Sequence, residues 1–405
     1  MYWKNNLKNT LHGFFLALAL TIAEPATTLP LIVHHFSQNI LVVGLFTSLL
    51  RGGAILVQLF AAFYAQSFRL VMPYLRLVFL ARFLSWLGIG LVIYFIGDKN
   101  PTLTLLGIGI GLFIFSFSAG FGQIYFNEIL AKIFSHRQRG RSMANRQFFA
   151  AIGAILSGFA AGYILSSYPA PQSYAYLFIV SAFLMGFGLL AFSTIQEPPK
   201  EQINQKEKNF WLFLKNAAKL LREDSALRLQ IIAVLLSYSF LFSFAYVILQ
   251  AQKSIHLSGW MVGGFITIQM IGALLGNLIY KKMTPRYKAI MILSFILAIV
   301  AFSLLLLAPS RPSFFIAFFL LGMAIDGFRI ASMNLLFAIA PEQKRPIYIA
   351  LQNNITSLGL FFAIPGGIIL KHFGYEVLYS FTIFMLLLGL FFSSKLKTAS
   401  ISSSS

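Results

Sequence analysis

Twelve continuous apolar runs, each long enough for a helix to cross a bilayer, constrain this chain more than any other feature. They lie near 11–33, 40–64, 73–96, 102–127, 147–166, 174–195, 229–251, 259–280, 288–308, 312–338, 347–370 and 375–394. In hydrocarbon no water is available to satisfy a backbone amide, so a run of this kind must be helical. The runs are unbroken rather than alternating, which excludes a transmembrane β-barrel. The polar stretch 196–228 separates six runs from six. The expectation is an all-α membrane protein of twelve transmembrane helices. Residues 1–195 and 229–396 form two six-helix bundles, 196–228 a cytoplasmic linker and 397–405 a disordered tail. Within the linker, Phe210, Trp211, Phe213, Leu214, Ala217, Ala218, Leu220 and Leu221 are spaced for an amphipathic surface helix, with a partly ordered connection as the alternative.

Composition enters where the charge is placed. The net charge is +20, a balance that could suggest nucleic acid. Its location argues otherwise. One set of loops carries Lys4, Lys8, Arg69, Lys132, Arg137, Arg139, Arg141, Arg146, the basic residues of 200–228, Lys281, Lys282, Arg286, Lys288, Lys344, Arg345, Lys395 and Lys397. The alternate loops carry Lys99, Lys253, Arg311 and Lys371. Basic residues stay on the cytoplasmic side, so both termini are expected there, and the number of spans is even. The first run is too long for a cleavable leader and reads as a first span. There is no cysteine, so disulfides and thiolate metal sites are excluded. No Walker loop, no His-Glu-x-x-His and no Ser/His/Asp arrangement stands out. No catalytic residue, metal or cofactor is expected, and no enzyme activity.

The chain has eleven acids, of which Glu24, Glu128 and Asp326 are read as held within spans and the others, Glu376 among them, in loops or at span ends. An ion at the bilayer centre costs about 2.5–3.5 kcal/mol on insertion scales, so such residues face a cavity or a partner. Glu24 precedes Pro25 near the middle of the first run, and Pro25 and Pro30 each lack a backbone donor, so a bend is expected around Ala26, Thr27 and Thr28. Glu24 reads as a proton or substrate site, or as the buried partner of Arg51. Arg51, midway along the second run, reads as an anion-binding group or as that counter-charge. Asp326 and Arg329 are three residues apart on the tenth run and share a helix face. They are a self-contained ion pair or a titratable acid with a modulating arginine. Glu128, near the cytoplasmic end of the fourth run, reads as a gate or loop anchor beside the arginines. Arg82 reads as a structural residue that snorkels to the cytoplasmic interface. Gln123 and Asn127 are one turn apart on the fourth run, and they and Asn334 either touch substrate or bond neighbouring helices. Tyr238 and Tyr246 on the seventh run suit an amphipathic organic solute, or pack. His34 and His35 point to different faces, which argues against paired metal ligation.

The two halves show a weak repeat. A shift of 206 residues aligns Arg139 with Arg345, Ala144 with Ala350 and Gly153 with Gly359. Six plus six helices, a basic central loop and inside termini resemble a prokaryotic member of the major facilitator superfamily over nearly the whole chain. Arg139-Gly140-Arg141 is similar to that family's loop between helices 4 and 5. Gly276-Asn277-Leu278-Ile279-Tyr280-Lys281-Lys282, with Arg286 beyond, is similar to its Gly-x-Leu-x-Asp-Arg loop between helices 8 and 9, with Tyr280 in place of the acid. The equivalent loop after the second run, Ala62 to Arg69, lacks both the Gly and the Asp. The resemblance implies two pseudo-symmetric bundles, a midplane cavity lined by helices 1, 4, 7 and 10, and alternating access.

The reading is a monomeric secondary transporter of the inner membrane that moves a small organic solute, with protons coupled through Glu24, Asp326 or both. The substrate-cavity candidates are Arg51, Thr27, Thr28, Gln123, Asn127, Tyr238, Tyr246, Arg329 and Asn334. The gating candidates are Glu128, Arg139, Arg141 and Arg345. Its rivals are a non-transporting receptor or assembly factor on the same fold, and a membrane-embedded enzyme.

Overall fold

The structure is a computed structural model. It describes residues 2–22, 24, 26–54, 57, 68–199, 219–341 and 345–396, without the side chains of 136, 137, 345–347 and 350. Most of the linker, including Phe210 to Ala218 of the expected amphipathic stretch, and the tail from 397 lie outside the described residues.

The described residues are helical almost throughout, and none is in a strand. Among the described residues, nine helices are long and apolar enough to cross a membrane. The other runs are present in altered form. The first is split into α1 (Tyr2–Ile22) and α2 (Thr28–Phe36), and the second enters as α3 (Ile40–Gly52). Then follow α4 (Met72–Phe95), α5 (Pro101–Ile133), α6 (His136–Ser167) and α7 (Gln172–Ser193). The seventh run is α8 (Ser225–Ser237), a 3-10 turn at Tyr238–Phe240, and α9 (Leu241–Ser254). The eighth to tenth are α10 (Gly259–Met283), α11 (Tyr287–Leu307) and α12 (Arg311–Ile339). The last two runs are α13 (Arg345–Thr356), a 3-10 turn at Ser357–Phe361, and α14 (Ala363–Ser394). Within α14, Gly374 has φ 81° and ψ −177°, which turns the chain between the eleventh and twelfth runs. A side chain is poorly tolerated in that conformation, so glycine is needed there.

The break between α1 and α2 has a local cause. Prolines remove amide donors from this stretch, and Thr28 supplies a replacement. Its hydroxyl donates to the Ile22 carbonyl at 2.8 Å. The Glu24 carbonyl accepts from the amides of Thr27 and Leu29, at 3.1 and 3.3 Å. These bonds pair backbone groups at the open turn, as a low-dielectric setting requires.

The chain divides into two compact units, Met1–Lys206 with Ala245–Thr267, and Glu207–Phe244 with Ile268–Ser405. In the first unit α1 packs on α6 and α7, and α4 packs on α5 and α7. In the second, α8 packs on α13 and α14, and α11 packs on α12 and α14. In terms of the apolar runs, the second set repeats the first with a shift of six. Small residues allow these approaches, because lipid gives no hydrophobic drive for helix association and close van der Waals contact must supply it. A Cβ on Gly153 of α6 would strike the Phe14 carbonyl of α1, and one on Gly366 of α14 would strike the Phe242 carbonyl of α9. Hydroxyls add bonds at depth: Trp86 Nε1 donates to Ser181 Oγ at 2.7 Å, and Ser243 and Thr382 share a bond of 2.6 Å. Residues 245–267 join the first unit through Gly259 and Gly263 of α10, which lie against Leu165, Gly158 and Gly162 of α6.

The outer faces carry exposed Leu77, Leu80, Leu84, Phe183, Phe187 and Leu190, as a lipid-facing surface should. The buried glycine at 322 generates a test. A Cβ there would meet the Gln269 carbonyl, whereas Gly88 has open space around it. Gly322→Val should cost about 1–3 kcal/mol or more by overpacking, seen as a lower midpoint in detergent thermal unfolding, while Gly88→Ala should leave the midpoint unchanged or raise it.

Candidate functional site

Two carboxylate–arginine pairs lie deep in the spans, one in each unit. In the first unit, Glu24 sits in the turn between α1 and α2, with its side chain 14% exposed. Arg51, in the last turn of α3, brings Nη2 to 3.7 Å from Glu24 Oε1. The arginine is placed there by a close approach of α3 to α5. The Ala54 amide donates to Ser116 Oγ at 3.1 Å, and a Cβ on Gly53 would crowd the Ser116 side chain. At 3.7 Å the pair is an ion pair without a short hydrogen bond, a geometry that a competing proton or ligand group can open.

The second pair is tighter. Arg329 Nη2 is 3.0 Å from Asp326 Oδ1, on the same face of α12. Asn277 of α10 donates to the other oxygen, Oδ2, at 2.6 Å. Both oxygens of Asp326 are therefore occupied. Asp326 is mostly buried, at 17%, but the Arg329 side chain is 59% exposed. Arg329 lies about 15 Å along the axis from the end of α12, counted at 1.5 Å per residue. A guanidinium that deep cannot rest against acyl chains without a cost of several kcal/mol, so this face of α12 requires water or a polar ligand.

Tyr280, which stands where the resembling loop has its acid, is buried at 1% and donates to the Met323 carbonyl at 2.9 Å. It joins α10 to α12 one turn before Asp326. A charged residue at this position would be buried without a counter-ion, whereas a phenol needs one acceptor and has it.

The remaining candidates are spread out. Thr27 and Thr28 are buried in the break, Thr28 in the bonds given above. Gln123 and Asn127 are exposed on α5, and Glu128 is half-buried beside them. Tyr238 is half-buried in the 3-10 turn, against Gly359, and Tyr246 is fully buried. Asn334 donates to the Ile330 carbonyl of its own helix at 2.7 Å. Arg139 is half-buried and Arg141 exposed, near the start of α6. The Arg345 side chain lies outside the described residues. Arg82 does not snorkel: it is 9% exposed, with its guanidinium 4.5 Å from the Phe115 ring centroid. Aromatic faces attract cations, which draws it inward.

Sequence reasoning missed two acids that hold the ends of the spans. Glu197, read as a loop residue, has its side chain 2% exposed. It accepts from the amide of Val71 at 2.9 Å and of Met72 at 2.7 Å, and pairs with Lys132 of α5. Carboxylate at a helix start satisfies free amides and suits the helix dipole. Lys132 also donates to the Arg69 carbonyl at 3.1 Å. The clamp therefore ties Arg69, Val71 and Met72 to α5 at the start of α4. Asp224 caps α8, accepting from Ala226 at 2.9 Å and Leu227 at 3.0 Å, and accepts from the Tyr348 hydroxyl. The cap was detectable as Asp224-Ser225 ahead of an apolar run. The Glu197 partners, over sixty positions away in sequence, were not.

Among the described residues no group of three His, Asp or Glu side chains could hold a metal ion. What the two pairs can do chemically is exchange a proton or bind a charged group.

A sequence model described as Major Facilitator Superfamily matches residues 10–286 and 242–402. The chain belongs to this superfamily. It is a multi-pass membrane protein of a transporter family. A relative in Bacillus subtilis (strain 168), named "Uncharacterized MFS-type transporter YttB", is 28% identical over 145 residues, 35% of this chain and 36% of the relative. That match thus spans about a third of the relative's length. Among solved structures, the inward-open xylose transporter XylE from E. coli has a TM-score of 0.70 at 14% identity, covering 99% of this chain and 98% of that one. The nucleoside transporter NupG has 0.70 at 14%, covering 97% and 98%. A D-xylose-proton symporter has 0.69 at 17%, covering 98% and 97%. At these identities the likeness is one of fold, and it makes this fold that of the superfamily.

Asp224 yields a pH test outside the spans. Burial acts to raise its pKa, but the Tyr348 hydroxyl, the Leu227 and Ala226 amides and the Arg228 charge together outweigh it and hold the pKa below the ordinary value. A carboxylate held low contributes stability that is complete above its unfolded-state pKa, about 3.9, and is lost as pH falls through the lower native value. Asp224→Asn should lower the thermal midpoint at neutral pH, and the difference from wild type should shrink as pH falls below about 4. A difference that stayed constant with pH would contradict this account of the cap.

Proposed function

We propose that the protein is a secondary active transporter that moves a small organic solute across the cytoplasmic membrane by alternating access, driven by protons. The observation that carries the reading is the Asp326–Arg329 pair: a buried carboxylate bonded on both oxygens, beside a deep guanidinium that is more than half exposed. Glu24 and Arg51 supply a second pair of the same chemistry. Proteins with this fold, a D-xylose-proton symporter and a nucleoside transporter among them, support transport of a small molecule. The placement of Lys and Arg in alternate loops supports cytoplasmic termini. The organisation that fits is two six-helix bundles, 1–195 and 229–396, working as a monomer in the bilayer.

The mechanism follows from charge balance. With Asp326 ionised, the pair with Arg329 is neutral. Protonation discharges the acid and leaves the guanidinium as an uncompensated cation in a medium of low dielectric. An anionic or strongly accepting group of the solute then replaces the carboxylate at Arg329. Proton and solute enter together, and both leave when the site opens to the opposite side. The Glu24–Arg51 pair works in the same way at the break in the first span. Gln123, Asn127, Tyr238, Tyr246 and Asn334 complete the candidate solute contacts, with Thr27 and Thr28 at the break. Glu128, Arg139, Arg141 and Arg345 are the candidate gates. No step needs a cofactor.

The test uses proteoliposomes and a labelled solute found by screening ligands for thermal stabilisation. Asp326→Asn and Glu24→Gln should each reduce accumulation driven by a pH gradient at least tenfold. Exchange of labelled for unlabelled solute, which needs no net proton movement, should survive in one or both. Full gradient-driven accumulation in the double variant would refute coupling through these acids.

A further inference from the structure

Apart from the Glu24–Arg51 pair, the first unit buries a polar stripe along α1. Asn5, Asn9 and His12 recur at helical spacing on one face, 5%, 0% and 3% exposed, with Asn6 and Thr10 also buried. Asn9 Nδ2 donates to Ser142 Oγ of α6 at 2.9 Å. Two arginines enter this region. Arg146 of α6 places Nη2 at 3.3 Å from His12 Nδ1, and its guanidinium lies 5.0 Å from the Phe126 centroid. Arg82 of α4 lies over Phe115, one turn from Phe79 of the same helix, whose ring stacks on His12. The rings of Phe79, Phe126 and Phe192 enclose His12, with centroids 5.6, 5.3 and 5.1 Å away.

The cluster is cationic and lacks an acid. Among the described residues, neither Arg82 nor Arg146 forms an ion pair. His12 Nε2, Arg82 Nε and Arg146 Nε are buried without hydrogen-bond partners among those residues. Buried polar atoms are nearly always bonded, and each exception needs a physical reason. Arginine cannot relieve the cost by losing its proton. The ring faces of Phe115 and Phe126 offset part of that cost, but a ring supplies no hydrogen-bond acceptor to the buried Nε atoms, and a bound anion does. The space limits its size. α1 passes close to α6 at Gly13, where a Cβ would collide with the side chain of Arg146, so an occupant on that side must be compact.

We propose that His12, Arg82 and Arg146 form a buried binding site for a compact anion, a halide or a small carboxylate, inside the first unit. The site is separate from the two carboxylate–arginine pairs and does not depend on their role in transport. Aromatic rings close it on the His12 side, and the Asn5–Asn9 stripe leads to it from the N-terminal end of α1. Occupancy ties α1, α4 and α6 together through one ion.

Trp86 provides a reporter, since it is 0% exposed, one turn from Arg82 and packed on Phe115 at 4.2 Å. The experiment uses full-length protein in detergent, with Trp3, Trp211 and Trp260 replaced by Phe, at fixed pH and ionic strength, with gluconate as the bulky reference anion. Iodide should quench Trp86 along a saturating curve, and chloride or formate should displace it, restoring the signal. Chloride or formate should also raise the thermal midpoint above that in gluconate. Arg82→Gln should raise the apparent Kd for iodide at least tenfold, and Arg329→Gln should leave it unchanged. Quenching that is linear in iodide, or that chloride and formate leave unchanged, would overturn the proposal whether or not Arg82→Gln folds. So would equal thermal midpoints in chloride, formate and gluconate.

Discussion

The cost of a charge in hydrocarbon organises this molecule. Each ion placed at depth must be paired, hydrated or drawn against an aromatic face, and the fold uses all of these devices. Glu24 faces Arg51 across a break in the first span. Asp326 is held by Arg329 and Asn277. Glu197 takes Lys132 and two backbone amides at the start of α4. Arg82 lies over Phe115, and Arg146 over Phe126. The pairs differ in a way that matters for function. The Glu197 clamp is almost wholly buried and serves as a fixed anchor, whereas Arg329 keeps more than half of its side chain exposed. A pair with one exposed member can exchange partners, which a transporter must do and an anchor must not.

The same low dielectric governs the backbone. Helices approach one another through glycine and serine, and the irregular turns are repaired locally. The Thr28 hydroxyl replaces an amide donor at the break in the first span, and Gly374 turns the chain between the last two runs. Both units use one packing scheme, with α1 against α6 and α7 answered by α8 against α13 and α14. The repeated scheme explains why a sequence repeat as faint as Arg139 with Arg345 and Gly153 with Gly359 still falls at matching positions. Glycines where backbones touch are constrained more strongly than the apolar residues between them, which need only be greasy.

Helix type was legible because hydrophobic runs of about twenty residues admit one solution in a membrane. The bend at Glu24 was legible from Pro25 and Pro30, and the Asp326–Arg329 pair from its three-residue spacing. These are local signals. The Glu197 clamp, the Asn277 bond to Asp326 and the Tyr280 bond to Met323 join distant segments and leave no trace in local pattern. Arg82 was misread because position along a span does not reveal which way a side chain turns. In this molecule it turns inward, to a ring on the neighbouring helix. His12 gave no signal, since a lone histidine in an apolar run is compatible with simple packing, and its arginine neighbours come from two other helices.

The central claim is that the face of α12 carrying Arg329 meets water although it lies deep in a span. The chain contains no cysteine, so a single introduced thiol reports without background. Arg329→Cys and Ile316→Cys, both at exposed positions of α12, can be compared in membranes for their rate of reaction with a charged, membrane-impermeant thiol reagent. The account predicts fast modification at 329, slowed by solute, and little at 316, which faces lipid. Equal unreactivity at both positions would contradict an aqueous passage along this helix and remove the physical basis for coupling through Asp326.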